Sequence, residues 1–225
     1  MRGAFVAVAV SFALAAPAKA ATLALPPSLI AVAPAGGVAV YAHAGDPEPA
    51  GVLSGATILG TPRVFLVISR SGGWLNVLLP ARPNGSTGWI RASDVALEST
   101  VFAVRVELRA HRLTLTRSGA VVLRAPIGAG RWSTPTPIGR FYVTDVVAVT
   151  GDPAGYYGPF AIGLSAFSDA LWSFNGGPAQ IAIHGTNDPS SIGRDTSNGC
   201  VHVANAVVTR LAHLLPLGTP VLILP

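Results

Sequence analysis

Cys200 is the one cysteine in 225 residues, and it closes the stretch Ser197-Asn198-Gly199-Cys200. Sixteen positions earlier stands His184, at the end of Ile181-Ala182-Ile183-His184, an alternating run that reads as a strand and is broken by Gly185. A thiol attacks as its thiolate, so it needs a base or a positive neighbour to react near neutral pH. A histidine at a strand end, its ring fixed by a backbone carbonyl, fills that role. Gly199 has no Cβ, so the backbone can come close to a substrate carbonyl, and the amides near Gly199 and Cys200 are placed to hydrogen-bond a developing oxyanion. These residue types in this order fit a Cys-His hydrolase or acyltransferase. The same cysteine also fits a small buried apolar residue without chemistry, and the spacing alone leaves both readings open.

The elements that must position this pair are strands. From Val101 onward, Val104, Val106 and Leu108 alternate with Arg105, Glu107 and Arg109. Leu113 and Leu115 continue the alternation, Ser118-Gly119 turns, and residues 121–123 return, which predicts an antiparallel meander. Ser133-Thr134-Pro135-Thr136-Pro137 is kept extended by its prolines and leads through Gly139 into a further strand. One helix is predicted, with Val207, Val208, Leu211, Leu214 and Leu215 at helical spacing, Asn205 as candidate cap, and Pro216 and Gly218 as stops. Residues 221–224 form a last strand. Ahead of this region, residues 21–36 read as an Ala/Pro-rich flexible lead. Residues 37–97 contain short apolar runs at 38–41, 64–69, 74–79 and 88–91 between turn clusters, which predicts a small barrel that folds separately, with Trp74 and Trp89 filling its core.

Three motifs in order, Thr134-Pro135-Thr136-Pro137-Ile138-Gly139-Arg140-Phe141, Ile183-His184-Gly185-Thr186 and Ser197-Asn198-Gly199-Cys200-Val201, make residues 101–225 resemble the L,D-transpeptidase (YkuD-type) catalytic domain. Gly73-Trp74-Leu75-Asn76-Val77, Gly88-Trp89-Ile90-Arg91 and Asp94-Val95 make the first unit similar to the bacterial Src-homology-3-like cell-wall module. Modules of that family often bind peptide or glycan, which the resemblance implies as the alternative to a core-filling role for Trp74 and Trp89. The resemblance implies an all-β protein: an SH3-like barrel, then a β-sandwich-like catalytic domain with one short C-terminal helix. It implies Cys200 as nucleophile and His184 as its base, the ring oriented by a backbone oxygen near Gly185. Ser197, Gly199 and Gly185 support the site through the backbone, with no metal or other cofactor. The substrate class it implies is peptidoglycan stem peptides. D-alanine leaves a tetrapeptide, a thioester forms on Cys200, and an amine of a neighbouring stem resolves it as a crosslink. Resolution by water would make an L,D-carboxypeptidase, and loss of the chemistry would leave a wall-binding protein.

Two positions depart from the family pattern. Asn198 stands where histidine or lysine is frequent, and His202 stands where arginine is usual, so a neutral amide and a partly charged ring replace two cations. Both are candidate substrate contacts, as is Tyr157, whose segment Tyr156-Tyr157-Gly158-Pro159-Phe160 either lines the cleft or packs the sheet. His43, His111 and His213 lie apart, without metal-ligand spacing.

The composition narrows the partners. Half the residues are hydrophobic, 11% are charged, and the formal charge is +5. Lys19 is the sole lysine and the arginines are scattered, so no nucleic-acid-binding stripe is present. Residues 1–20, with Arg2, an apolar run and Ala18-Lys19-Ala20, read as a secretory signal, too short and too interrupted by Pro17 for a stable span. The mature chain is expected outside the cytoplasm, as a monomer, with its stability independent of any disulfide.

Overall fold

The computed structural model describes residues 27–225; the secretory-signal reading of residues 1–20 lies outside them. Two sheets account for most of the chain. The first contains β1 (Ser28–Val32), then the small hairpin of β2 (Val38–Val40) and β3 (Gly51–Leu53) set beside it. β4 (Val64–Ser71), β5 (Trp74–Leu78), β6 (Thr87–Arg91) and β7 (Ala96–Thr100) complete it, in the order β6-β5-β4-β1-β7. A backbone bridge between Tyr41 and Trp89 ties the hairpin to β6.

Two expectations change here. Residues 28–32 do not belong to a flexible lead, because Ser28–Val32 sits between β4 and β7 and pairs with both, burying Ile30 and Ala31. Trp74 and Trp89 do not fill the core. Strand alternation puts Leu75, Val77 and Ile90 inside with Phe65 and Val67 and turns both indoles to the other face, where Trp74 packs edge-on against Tyr41 at 4.8 Å.

The second sheet starts with the predicted meander, β8 (Phe102–Glu107), β9 (Arg112–Arg117) and β10 (Ala120–Pro126), followed by the short β11 (Ala129–Gly130). β12 (Gly139–Ala148), β13 (Phe160–Phe167) and β14 (Gln180–His184) come next. β15 (Asp195–Ser197), β16 (Val201–His202), the helix α1 (Asn205–Leu214) and β17 (Pro220–Leu224) end the chain. Eight strands join in the order β10-β9-β8-β17-β12-β13-β14-β16, with β17 parallel to β8 and β16 parallel to β14. Leu123 and Val201, from the two edge strands of this order, belong to one buried cluster with Val208 and Leu211 of α1. The domain is therefore a single curled sheet closed over its core by one helix, in place of the expected sandwich.

The predicted cap of that helix is also different. Ala204 occupies the cap position without a side-chain hydrogen bond, and Asn205 is the first helical residue. Its Oδ1 accepts from the Thr186 amide at 2.8 Å, which pins the helix to the segment after β14.

The two sheets share a buried junction. Ile30, Val64, Leu66 and Leu78 of the first sheet pack with Tyr142 of β12, whose phenol is fully buried. Thr57 donates to the buried Asp145 carboxylate at 2.6 Å. At the far end Arg82 reaches the carbonyls of Ser168, Leu171 and Pro178 at 3.2, 2.9 and 3.0 Å, and lies over the rings of Phe167 and Trp172. Asn84 exchanges hydrogen bonds with both backbone groups of Phe167.

Candidate active site

The register of β14 and β16 assembles the site. These strands run parallel with Ile183 opposite Val201 and His184 opposite His202. Side chains alternate, so Ile183 and Val201 enter the core, while His184 and His202 share the opposite face, with Cys200 immediately before β16 on that same face. Chain positions sixteen and more apart become neighbours through one ladder, and the two imidazole centroids stand 4.8 Å apart.

His184 is fully buried. Its Nδ1–H donates to the Gly185 carbonyl at 2.6 Å, which fixes the tautomer and leaves the Nε2 lone pair bare, with no partner among the described residues. Burial, with His202 beside it, pushes its pKa down to about 4, against the weaker opposing pull of the Gly185 carbonyl. Near neutral pH the ring is an uncharged base. The Cys200 thiol, partly exposed at its residue surface, is pushed up by burial, which the backbone amide of Ala182 partly offsets. The resting groups are thus a thiol and a neutral imidazole, with no hydrogen bond between them.

The turn carrying Cys200 is clipped by Ser197. Its hydroxyl donates to the Cys200 carbonyl at 2.6 Å and accepts from the Gly199 amide at 3.1 Å. Gly199 lies at φ +116°, and a Cβ there would stand 3.0 Å from Ile181 Cδ1, so the position excludes larger residues on two counts. Because the Gly199 amide is committed to Ser197, it is not a free oxyanion donor as the sequence suggested.

From the other side the Thr134 hydroxyl and the Arg131 amide both donate to the Ser197 carbonyl, at 3.1 Å each. The guanidinium of Arg131 hydrogen-bonds Asn198 Oδ1. A fixed cation therefore does reach the position where the sequence showed only a neutral amide, from 67 residues away.

Tyr156 and Tyr157 cover the histidines. Their rings lie 5.6 and 4.9 Å from His184, and Tyr156 also meets His202 at 6.1 Å. They are held there by close backbone approach, since Gly158 and Gly185 abut across Asn205, and a Cβ at Gly185 would come within 3.0 Å of the Gly158 Cα. Asn175 donates to the Tyr157 hydroxyl at 3.2 Å, so the loop held by Arg82 also supports the ring on His184.

His202 differs most from its expected place. It is buried and its Nδ1 lies 3.1 Å from Ser191 Oγ. Burial lowers its pKa against the raising influence of Asp188, so it does not present a cation to an anionic group.

The whole of this face falls within residues 102–223, which match the model of the YkuD family, the L,D-transpeptidase catalytic domain. The chain belongs to the L,D-transpeptidase family. A Bacillus subtilis relative named "Putative L,D-transpeptidase YkuD" is 30% identical over 152 residues, covering 65% of this chain and 84% of its own. A Mycobacterium tuberculosis L,D-transpeptidase crystal structure has a TM-score of 0.47 at 15% identity, over 84% of this chain and 77% of that one. An Enterococcus faecium L,D-transpeptidase crystal structure has 0.42 at 24%, and this chain spans 49% of its length.

In this L,D-transpeptidase chain the structure brings together the sequence-predicted Cys200, His184, Gly185, Ser197, Gly199, Asn198, His202 and Tyr157. His111 and His213 stay apart, the first paired with Asp195 at 2.9 Å and the second bonded to the Thr209 carbonyl. Tyr156, named in sequence only within a segment that either lines the cleft or packs the sheet, joins Tyr157 over the histidines. Sequence reasoning missed Arg131, Asn175 and Ser191, which nothing local marked.

Proposed function

We propose that this protein forms peptidoglycan crosslinks as an L,D-transpeptidase, with Cys200 as nucleophile and His184 as general base. The observation that carries the reading is the bare Nε2 of a neutral, tautomer-locked His184 on the same sheet face as the only thiol. In this reading Nε2 takes the thiol proton as sulfur attacks the carbonyl before the terminal D-alanine, and the same proton then goes to the leaving amine. The oxyanion role falls to the Cys200 amide. The Arg131–Asn198 pair faces the donor's anionic end. An amine of a second stem peptide resolves the thioester.

The substrate places the chain outside the cytoplasm, in keeping with the secretory reading of residues 1–20. The first sheet, read as an SH3-like module, holds the enzyme on the wall, and Trp74 with Arg91 over its ring at 5.4 Å offers the outward aromatic surface for that contact.

The test is covalent. A carbapenem should add its mass at Cys200, and disaccharide tetrapeptides should give dimers with release of D-alanine. Cys200→Ser should abolish both. An unmodified Cys200 and no D-alanine release would overturn the assignment.

A further inference from the structure

His202 is a buried titratable group that the acylation step does not use. Its hydrogen-bonding state follows from its partner. Ser191 has one hydroxyl proton, and it is donated to the Asp188 carbonyl at 2.7 Å. The Ser191 oxygen is therefore an acceptor toward His202, whose Nδ1 must carry the proton. This leaves Nε2 of His202 as a lone-pair acceptor, buried and without a partner among the described residues, like Nε2 of His184. Buried polar atoms are almost always partnered. Two orphaned acceptors on adjacent rings, 4.8 Å apart and both touched by the 40%-exposed Tyr156, form a site built for a donor with more than one hydrogen. Thiol chemistry needs one of these lone pairs. The other is free for the second substrate.

We infer that His202 is a second catalytic base, which accepts through Nε2 a proton of the acceptor amine and so directs the thioester toward amine transfer over hydrolysis. This rests on the transpeptidase reading above and assigns the acceptor half of that reaction. A primary amine arrives as R–NH3+, which has no lone pair and cannot attack. One of its protons passes to Nε2 of His202. The freed nitrogen pair attacks the thioester carbonyl, the C–S bond breaks with its electrons on sulfur, and a second proton passes by way of His184 to give the Cys200 thiol. The third hydrogen stays on the new amide, and the proton on His202 leaves to water. The groups facing His202 are His184 on β14, Cys200 before β16, Tyr156 in the covering loop and the Asp188 carboxylate after β14. Burial lowers the His202 pKa and Asp188 offsets this only in part, so the ring rests neutral with its Nε2 lone pair ready to accept.

Two variants and three readings test this. In His202→Gln, Oε1 keeps an acceptor of similar reach but takes up no proton; in His202→Arg no lone pair remains. With disaccharide tetrapeptide as donor and acceptor, the ratio of dimer to trimmed monomer should fall by about 100-fold in both variants, the scale of general-base catalysis. Trimmed monomer should take its place. Transfer in His202→Gln should recover as pH rises toward the pKa of the free amine. Equal loss of D-alanine release and dimer, or an unchanged dimer-to-monomer ratio in both variants, would overturn the inference. Loss of the thermal transition in one variant is separated from this by the other. If the parent releases no D-alanine and Cys200 takes up no carbapenem, the transpeptidase reading itself is what has failed.

Discussion

The Ser197 hydroxyl donates to the Cys200 carbonyl at 2.6 Å, closing a four-residue turn whose other internal bond runs from the Gly199 amide back to the same hydroxyl. One oxygen thus sets where the sulfur points. Ser197→Ala should leave a buried donor and acceptor unpaired, costing about 1–3 kcal/mol of stability. Misplacement of the thiol should slow β-lactam acylation by about 100-fold. Stopped-flow acylation with a melting curve on the same sample checks both. An unchanged acylation rate would mean that the Ile183–Val201 ladder alone holds Cys200.

The acid limb of activity should be unusually low. With His184 pushed down to about 4, acylation should stay level from neutral pH to about pH 5 and fall by half near the His184 value. His184→Ala should lower acylation and thiol alkylation together. Stability has the same origin and a definite sign. Between the ordinary histidine pKa of about 6.5 and about 4, the unfolded chain takes up a proton that the buried ring refuses, so stability falls as pH falls through that window and is level above it. The His184 contribution is at most about 3 kcal/mol, and urea titrations at a series of pH values measure it. A flat dependence between those values would show that the ring becomes solvated.

Arg82→Ala should act at a distance. The residue makes three carbonyl contacts to the 168–178 loop, and that loop supports Tyr157 through Asn175. Its loss should cost about 1–3 kcal/mol, raise amide exchange across residues 168–178, and raise KM for the peptide donor several-fold while a small β-lactam acylates Cys200 at nearly the parent rate. Equal effects on both substrates would point to general destabilisation.

Tyr142 offers a stabilising change. Its hydroxyl is buried without a partner among the described residues, and burial pushes its pKa up. Tyr142→Phe should therefore raise stability by about 1 kcal/mol, read as a higher Tm. A chain starting at Ser99 should do the opposite, since it exposes Tyr142 and Asp145 together. A truncated protein as stable as the full chain would show that the junction contributes nothing.

The nearness of His184 to the Cys200 turn was legible in sequence through a strand-end histidine and a local motif, while the roles proposed for them came from the family resemblance, since spacing alone left the cysteine open to a purely structural reading. β1 was not legible, because Ser28–Val32 follows Pro26-Pro27 and is too short to show its period; its two sheet neighbours define it. Arg131 and Ser191 were not legible either, as each meets its partner through loop geometry that no spacing encodes. His202 was found but misread: its residue type suggested a weak cation, whereas burial beneath Tyr156 makes it an acceptor. Asn205 was read as a cap from its place before an apolar stripe, and a nearer unpaired amide at Thr186 claimed its side chain instead.

The junction around Tyr142 bears on how such proteins recombine. A first sheet exchanged with that of a relative would have to bring its own match for Ile30, Leu66 and Leu78, a hydroxyl for Asp145 and a guanidinium for the 168–178 loop. Grafts that conserve those few positions should be inherited as working cassettes, and grafts that do not should be lost even when each half folds, so the seam acts as a compatibility lock on domain shuffling.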